Sequence, residues 1–375
     1  MRTILFDHQI FESQPFGGIS KVYCDRIPFL KHYFNCIVSV KASNNQSLKT
    51  SELVNKLEPI KDVNLSFFTQ HHLPLKRTLT HILNHSFQNK LNTIRQLQKS
   101  KFDIFEPTYY DPYFLKYIGN KPFVLEIHDM VPELLPQYYQ DEGLVANKLF
   151  LIKHATHIHT PSKKTKKDIL ELYGIDPLKI TVIPHGVPVI PHYNNNKLFD
   201  FPYLLYIGGR WNYKNFTPFL KIFAKTIDDF PEIHLVCTGP PFNEVEIKLI
   251  QELHVQDKIH YISPIISQFH SLYHNAVAFV FPSLYEGFGL PILEAWSCGC
   301  PVLLNDSSCF PEIAGNAALY FELNEKRNNF YDALKQLWQM SSEDRQNLIN
   351  KGYKRMKLYS WEESVEKLAE IYNRL

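Results

Sequence analysis

The sequence lacks several features that would assign it to a class at once. Its 375 residues carry 40 Lys and Arg against 38 Asp and Glu, and a net charge of +2 gives no general case for a nucleic-acid-binding protein. No apolar run approaches the ~18 residues of a membrane span, and the strongest, residues 276–282, has the length of a strand. Six cysteines do not make a disulfide scaffold in a chain of this length, so we expect reduced thiols in a cytoplasmic protein.

Other absences concern binding chemistry. The chain has no Asp-x-Asp pair that would cluster oxygen ligands around Mg²⁺ or Mn²⁺, and we expect no metal. It has no Walker A motif, and Ile292 stands where a dinucleotide-binding fingerprint starting at Gly287 needs its third glycine. An acid as early as Asp7 argues against a signal peptide and favours a first strand. These absences argue against P-loop NTPases and dehydrogenases.

Charge is divided unevenly along the chain. Residues 1–190 carry 23 basic and 17 acidic side chains, whereas residues 191–375 carry 17 and 21. The sign changes at a segment rich in Pro and Asn, residues 184–196, which has the composition of a linker. We therefore expect one domain at 1–190 and a second at 198–358.

Both parts alternate short apolar runs with helical patterns, which predicts an α/β fold of two Rossmann-like, doubly wound domains facing a central cleft. Strands are expected at 3–6, 36–40, 64–68, 103–105, 122–127, 156–159 and 180–183, and then at 203–207, 233–237, 259–262, 277–281 and 301–304. Helices are expected at 17–34, 75–99, 162–173, 215–229, 243–254, 267–275 and 291–298. After Ala318 only helices are expected, and the last one, 359–375, carries an apolar stripe that should pack back on the first domain.

The most informative stretch runs from Phe281 to Val302. A buried strand leads through a glycine-containing turn into a helix that can start with Pro291. Free backbone N–H groups there would form an anion site suited to phosphate, contributed by Gly287, Phe288, Gly289 and Leu290. Glu286 lies in the turn, and Glu294, one turn into the helix, could accept hydrogen bonds from a ribose diol. The alternative is that both acids cap the helix or face solvent.

Three further motifs follow or precede predicted strands. Gly208 and Gly209 form a turn that would place Arg210 and Lys214 at its mouth, where two cations could stabilise a diphosphate. Near the start, Gly17 and Gly18 would allow the backbone to approach a ligand closely. His128 follows the strand that ends at residue 127, so it is a candidate polar group at the reaction centre. The alternatives are solvation at the surface for Arg210 and Lys214, an ordinary turn for the glycines and a structural role for His128.

Together these motifs resemble a known family. Glu286-x7-Glu294 within EGFGLPILEAWSCGCPV, GGRWNYKN upstream and FGGISKVY near the start are similar, in content and in order, to the motifs of the GT-B glycosyltransferases of family 4, the group 1 retaining transferases. The resemblance spans nearly the whole chain. The opening FDHQIFESQPFGGIS looks especially like bacterial O-antigen and capsule transferases, many of them mannosyltransferases.

The resemblance implies an enzyme that moves a hexose from a nucleotide-sugar donor to an acceptor, with retention of configuration and without a metal. The roles it implies are donor-sugar contact for Glu286, ribose contact for Glu294, diphosphate binding for Arg210 and Lys214, a place on the acceptor side near the sugar for His128, and a glycine loop at Gly17 and Gly18. Retention fits a same-face substitution, which needs chiefly positioning and electrostatic support. Trp296 and His185 depart from the usual family pattern without removing a functional group.

The donor and acceptor are less defined. Mannose from GDP-mannose is favoured, and the alternatives are a UDP-sugar-dependent transferase or a non-catalytic sugar-nucleotide-binding protein of the same fold. Residues 63–102 contain six Lys and Arg and no acid, with apolar residues at helical spacing. Such a helix could lie at the inner face of the plasma membrane and present a lipid-linked saccharide acceptor, or it could be an ordinary core-facing helix with a solvated basic face.

Overall fold

The computed structural model describes residues 1–54, 57–58, 85–139, 141–188, 190–191, 196–324 and 328–375. The predicted strand at 64–68 and the first ten residues of the predicted helix at 75–99 lie outside the described residues. Two parallel α/β units make up the rest of the chain, and the two Rossmann-like domains predicted from the sequence are confirmed.

The first unit is built on a parallel sheet in two segments. The strands pair in the order β2-β1-β3 and β4-β5-β6, and a bridge between Phe105 and Phe123 joins β3 to β4. The strand bounds are β1 (Thr3–Phe6), β2 (Asn35–Val38), β3 (Ile104–Glu106), β4 (Val124–Glu126), β5 (His157–Thr160) and β6 (Ile180–Val182). The described strands fall where the short apolar runs predicted them.

The second unit has a six-stranded parallel sheet in the order β9-β8-β7-β10-β11-β12. This is the doubly wound order whose switch point lies between β7 and β10, where loops diverge and ligands bind. The strand bounds are β7 (Tyr203–Tyr206), β8 (His234–Cys237), β9 (Ile259–Tyr261), β10 (Ala278–Phe281), β11 (Val302–Asn305) and β12 (Leu319–Phe321). The expectation that strands stop after Ala318 was wrong, because β12 is a three-residue edge strand too short to show a period.

Helices cover both sheets. In the first unit they are α1 (Gln9–Ser13), α2 (Gly18–Leu30), α3 (Gln46–Thr50), α4 (His85–Lys99), α5 (Val131–Leu134), α6 (Glu142–His154) and α7 (Lys163–Tyr173). In the second they are α8 (Phe216–Thr226), α9 (Glu244–Glu252), α10 (Phe269–His274), α11 (Leu290–Ser297), α12 (Phe310–Ala314), α13 (Phe330–Trp338), α14 (Ser342–Met356) and α15 (Trp361–Arg374). The sequence did not predict helix α6, because its apolar residues form no clear stripe along one face.

The last helix returns to the first unit, as the sequence led us to expect. Ser360 caps it by accepting a hydrogen bond from the backbone N–H of Glu363 at 3.0 Å. Its stripe then joins the core beneath β1 and α2, through Val365, Leu368, Ala369, Ile371 and Tyr372. Burying this stripe fixes the chain that crosses between the units, and Trp361 contacts His185 there with ring centroids 6.1 Å apart.

Polar contacts join the units beside the cleft. Tyr285 of the second unit donates its hydroxyl to Asp168 Oδ2 at 2.5 Å. The carboxylate of Glu312 accepts the backbone N–H groups of Lys163 and Lys164 at 2.8 and 3.0 Å, at the positive end of α7. Among the described residues, no helix combines the length and the apolar character needed to cross a bilayer.

Candidate active site

The cleft opens at the switch point of the second sheet. β7 and β10 are neighbours, and their carboxyl ends lead into the loops 207–215 and 282–289. Both glycine motifs singled out in the second half of the sequence therefore lie side by side, because parallel strands end at the same edge.

The loop after β10 presents the start of a helix. Gly289 has φ +96°, a left-handed conformation that a residue with a Cβ rarely adopts, and it is the N-cap of α11. The backbone of Glu286 is held in place by Ser308, which accepts its N–H at 3.1 Å and donates its hydroxyl to its carbonyl at 2.7 Å. The first backbone N–H groups of α11 therefore lie together at the N-terminus of the helix, and such N-termini bind anions.

A cation and an acid meet in front of this helix. Lys214 Nζ lies 2.6 Å from Glu286 Oε1, and both side chains are mostly buried. One turn into α11, Glu294 accepts the Tyr273 hydroxyl at 2.9 Å, and burial raises the pKa of Glu294 above its usual value. The predicted pair of acids thus lies on one wall of the cleft, one acid bound to a lysine and the other to a phenol.

Arg210 is engaged differently from the sequence expectation. Its guanidinium is buried and donates to the Glu246 carboxylate at 2.9 and 3.2 Å. It also donates to the carbonyl oxygens of Thr238, Pro240 and Pro241, at 3.3, 2.6 and 2.9 Å. Arg210 therefore ties the loop after β8 to the loop after β7, and it could reach a diphosphate only by exchanging some of these partners.

The first unit supplies the opposite wall. A Cβ built on Gly287 would lie 1.7 Å from the carbonyl oxygen of His128, so these two backbones are in direct contact. A Cβ on Gly18 would lie 3.9 Å from Leu290 Cδ1, which places the loop of Gly17 and Gly18 opposite the start of α11. The structure thus brings the predicted residues of both units into one cleft, with the guanidinium of Arg210 turned to its own partners.

Several residues at the cleft escaped the sequence analysis. Ser308 follows β11 in a polar run at the same sheet edge, a signal that could have found it. Glu246 is recognisable in the sequence as the third helical residue of a capping box with Asn243, but nothing local indicates that Arg210, 36 residues away, is its partner. The partner of Tyr273 is likewise 21 residues away. Glu126 offered a signal, because it is an acid near the end of the predicted apolar strand 122–127, two residues before His128.

One buried group among the described residues has ligands suited to a metal. Glu106, Glu126 and His159 offer ligand atoms that all lie within 4.8 Å of one another. Arg26 already donates to both carboxylates, at 2.5 and 2.9 Å, so the positive charge that a metal would supply is in place.

The contact at Gly287 yields a prediction about closure. Gly287→Ala should force the two units apart, because the added methyl group meets backbone that cannot turn aside as a flexible side chain would. We expect a larger radius of gyration in small-angle X-ray scattering. The control is Gly18→Ala, whose Cβ would make an ordinary contact with Leu290 across the same cleft. Scattering from Gly287→Ala that superimposes on that of the wild type would contradict the closed contact.

Two family models match the chain. Residues 62–189 match the model described as Glycosyltransferase Family 4, and residues 193–355 match the model described as Glycosyl transferases group 1. Their junction falls at the segment between the two units, so each model corresponds to one of them.

Curated relatives carry mannosyltransferase names. The O-antigen chain mannosyltransferase RfbU of Salmonella typhimurium is 28% identical over 59% of this chain and 66% of its own length. The MMP alpha-(1->4)-mannosyltransferase of Mycolicibacterium hassiacum is 23% identical over 62% of this chain and 57% of its own. A GDP-mannose:cellobiosyl-diphosphopolyprenol alpha-mannosyltransferase of Xanthomonas oryzae is 30% identical over 38% of this chain and 39% of its own. The matched stretches thus span no more than 66% of these relatives.

Solved structures share the architecture over the full length. HepE of Anabaena in complex with UDP and glucose superimposes with a TM-score of 0.73 at 14% identity, covering 100% of both chains. A glycosyltransferase of Rickettsia africae gives 0.67 at 17% identity, covering 100% of this chain and 98% of its own. At such identities the likeness shows the fold alone, which is GT-B. With one family model on each unit and this fold, the chain belongs to the group 1 glycosyltransferases of family 4.

Proposed function

We propose that the protein is a retaining hexosyltransferase that moves mannose from GDP-mannose to a glycan or lipid-linked saccharide acceptor in bacterial surface-polysaccharide assembly. The observation that carries the proposal is the Lys214–Glu286 ion pair in front of α11, next to Gly287, whose backbone contacts that of His128. The mannosyltransferase names of the relatives support the sugar, and the printed name of the Xanthomonas relative includes GDP-mannose.

In this proposal the donor diphosphate lies on the start of α11. The N–H groups of Gly287 to Leu290 and the Nζ of Lys214 meet its oxygens, and Arg210 joins them if it exchanges partners. The ion pair keeps both side chains in the cleft before the donor arrives. Binding then releases Glu286 toward the sugar hydroxyls, while Glu294 accepts from the ribose.

The chemical step would be a same-face substitution. The bond from the anomeric carbon to the diphosphate breaks as the acceptor oxygen attacks the same face, and the acceptor proton passes to the departing phosphate oxygen. Negative charge grows on the diphosphate during this step, so the cation and the helix terminus stabilise the transition state more than the bound donor. Contact between the units would exclude water, which would otherwise hydrolyse the donor.

We place the acceptor on the first unit. In the described half of the basic segment, α4 packs inward through Asn89, Thr93 and Leu97, while Arg95 and Lys99 remain exposed. This favours the ordinary helix with a solvated basic face for that half. Those exposed cations could still attract an acceptor that carries a diphosphate or lies at an anionic membrane surface, which we retain as part of the proposal.

The alternatives make different demands on the cleft. A UDP-sugar-dependent transferase would use the same residues with another base. A non-catalytic binding protein would keep the nucleotide site without need of His128 and Lys214, and both residues stand at the cleft here.

The donor is tested with nucleotide-sugars and a matched pair of lysine variants. GDP-mannose should raise the melting temperature more than UDP-glucose or dTDP-glucose, because at equal concentration the ligand with the lower Kd stabilises the protein more. A ligand at 100 times its Kd adds about 2.7 kcal/mol.

Lys214→Ala should lower turnover by about 10²- to 10³-fold and retain nucleotide binding. Lys221→Ala, on the exposed face of α8, should behave as the wild type. Stabilisation by UDP-glucose alone would reject GDP-mannose, and full turnover in Lys214→Ala would reject the role of this lysine.

We also propose that no divalent ion takes part, because the cation and the helix terminus supply the positive charge near the diphosphate. EDTA should therefore leave the initial rate of transfer unchanged, as should EDTA saturated beforehand with Mg²⁺. Loss of transfer in EDTA alone, restored by Mn²⁺, would show that a metal holds the diphosphate.

A further inference from the structure

A buried ionic cluster lies behind the cleft in the first unit. Arg26 of α2 donates from Nη1 to Glu126 Oε2 at 2.9 Å and from Nη2 to Glu106 Oε1 at 2.5 Å. All three side chains are no more than 1% exposed. Glu106 and Glu126 end the neighbouring strands β3 and β4, so the cluster sits at the same sheet edge as the cleft.

The two carboxylates differ in how their second oxygens are used. The hydroxyl of Tyr372, on the last helix, donates to Glu106 Oε2. Within the described part of the chain, Glu126 Oε1 has no hydrogen-bond partner. It faces two imidazoles instead, with His128 Nδ1 at 3.5 Å and His185 Nε2 at 3.9 Å.

Charge within the cluster leaves Glu126 ionised. Burial opposes its ionisation, but the guanidinium of Arg26 holds the pKa of Glu126 well below its usual range. Burial lowers the pKa of His185 to about 3, so this ring is neutral at pH 7. One guanidinium facing two carboxylates leaves a negative charge. Of the imidazole nitrogens around Glu126, His128 Nδ1 is the nearest, whereas His159 Nε2 lies 3.8 Å from Glu106 Oε1 and 4.0 Å from Glu126 Oε2.

The backbone of His128 is held more firmly than its ring. Its backbone is fixed, because the N–H donates to the Tyr110 hydroxyl at 3.1 Å and the carbonyl abuts Gly287. The ring lies between Tyr23 and Tyr110, at centroid distances of 6.0 and 6.3 Å, and neither ring nitrogen has a hydrogen-bond partner among the described residues. A side chain only 7% exposed with two unpaired nitrogens indicates a missing partner.

We propose that Glu126 is the positioning residue of His128. Its Oε1 accepts the Nδ1–H of the imidazole, which fixes the ring and its tautomer and leaves Nε2 for a hydroxyl or phosphate oxygen of the substrate. The substrate part rests on the proposed function, whereas the tautomer of His128 does not. The alternative is that the cluster is purely structural, so that Glu126 and Glu106 act equally as acceptors for the Arg26 guanidinium.

The experiment compares Glu126→Gln with Glu106→Gln. The two acids are equally buried and bind the same guanidinium, but the described contacts link only Glu126 to His128. Either substitution removes one negative charge from a cluster that carries an excess of it, so both proteins are expected to fold. Glu126→Asp is the conservative variant, since it keeps the acceptor one methylene further away.

The first readout needs no substrate. Imidazole ¹⁵N NMR, with the His128 signals assigned by their loss in His128→Asn, should show the Nδ1–H form in the wild type and in Glu106→Gln. Glu126→Gln should change the tautomer ratio, and Glu126→Asp should restore it in part. Identical His128 signals in the wild type and Glu126→Gln would overturn the positioning role, even if the chain transferred no sugar from any donor.

The second readout uses transfer. Glu126→Gln should lower kcat by about tenfold to a hundredfold with little change in the KM for the donor, because misplacement by about 1 Å costs that much. Glu106→Gln should lower the melting temperature while kcat stays close to that of the wild type. In a His128→Asn background, Glu126→Gln should have no further effect on kcat, since both changes remove one interaction. Equal losses of kcat in the two glutamine variants, or additive effects in the double variant, would favour the structural alternative and overturn the proposal.

Discussion

The cleft depends on one close approach, that of Gly287 in the second unit to the carbonyl oxygen of His128 in the first. A Cβ at Gly287 would stand 1.7 Å from that oxygen, so a side chain there would hold the two walls apart. The approach places the start of α11 opposite the glycine loop and sets the Lys214–Glu286 pair before His128. Residues that are more than 100 positions apart in sequence thereby form one site.

The contacts around that approach explain why the two units meet in this arrangement. Tyr285 and Glu312 reach from the second unit to the first, and the last helix is buried in the first unit's core. Since Tyr372 of this helix also donates to Glu106, the chain end is connected to the buried charges behind His128. The crossing helix and the part of the first unit that lines the cleft are thus parts of one packed structure.

Most of the sheet could be predicted from the sequence, because short apolar runs bounded by turns specify buried parallel strands. The places of Lys214 and Glu286 in loops after strands, and of Glu294 in the helix that follows, could also be predicted, because strand, glycine turn and helix are recognisable in the sequence. The partners of Arg210 and Glu126 could not be predicted. An ion pair between distant elements depends on tertiary packing, and neither the 36 residues from Arg210 to Glu246 nor the 100 from Arg26 to Glu126 carry a period that reveals it.

The proposed function requires a donor diphosphate to bind at the start of α11, between the second unit's lysine and the first unit's glycine loop. A crystal structure of the protein with GDP would show where the diphosphate lies. We expect diphosphate oxygens within about 3.2 Å of the N–H groups at Gly287 to Leu290 and of Lys214 Nζ, with Lys214 released from Glu286. A diphosphate bound away from α11, with the Lys214–Glu286 pair intact, would contradict it.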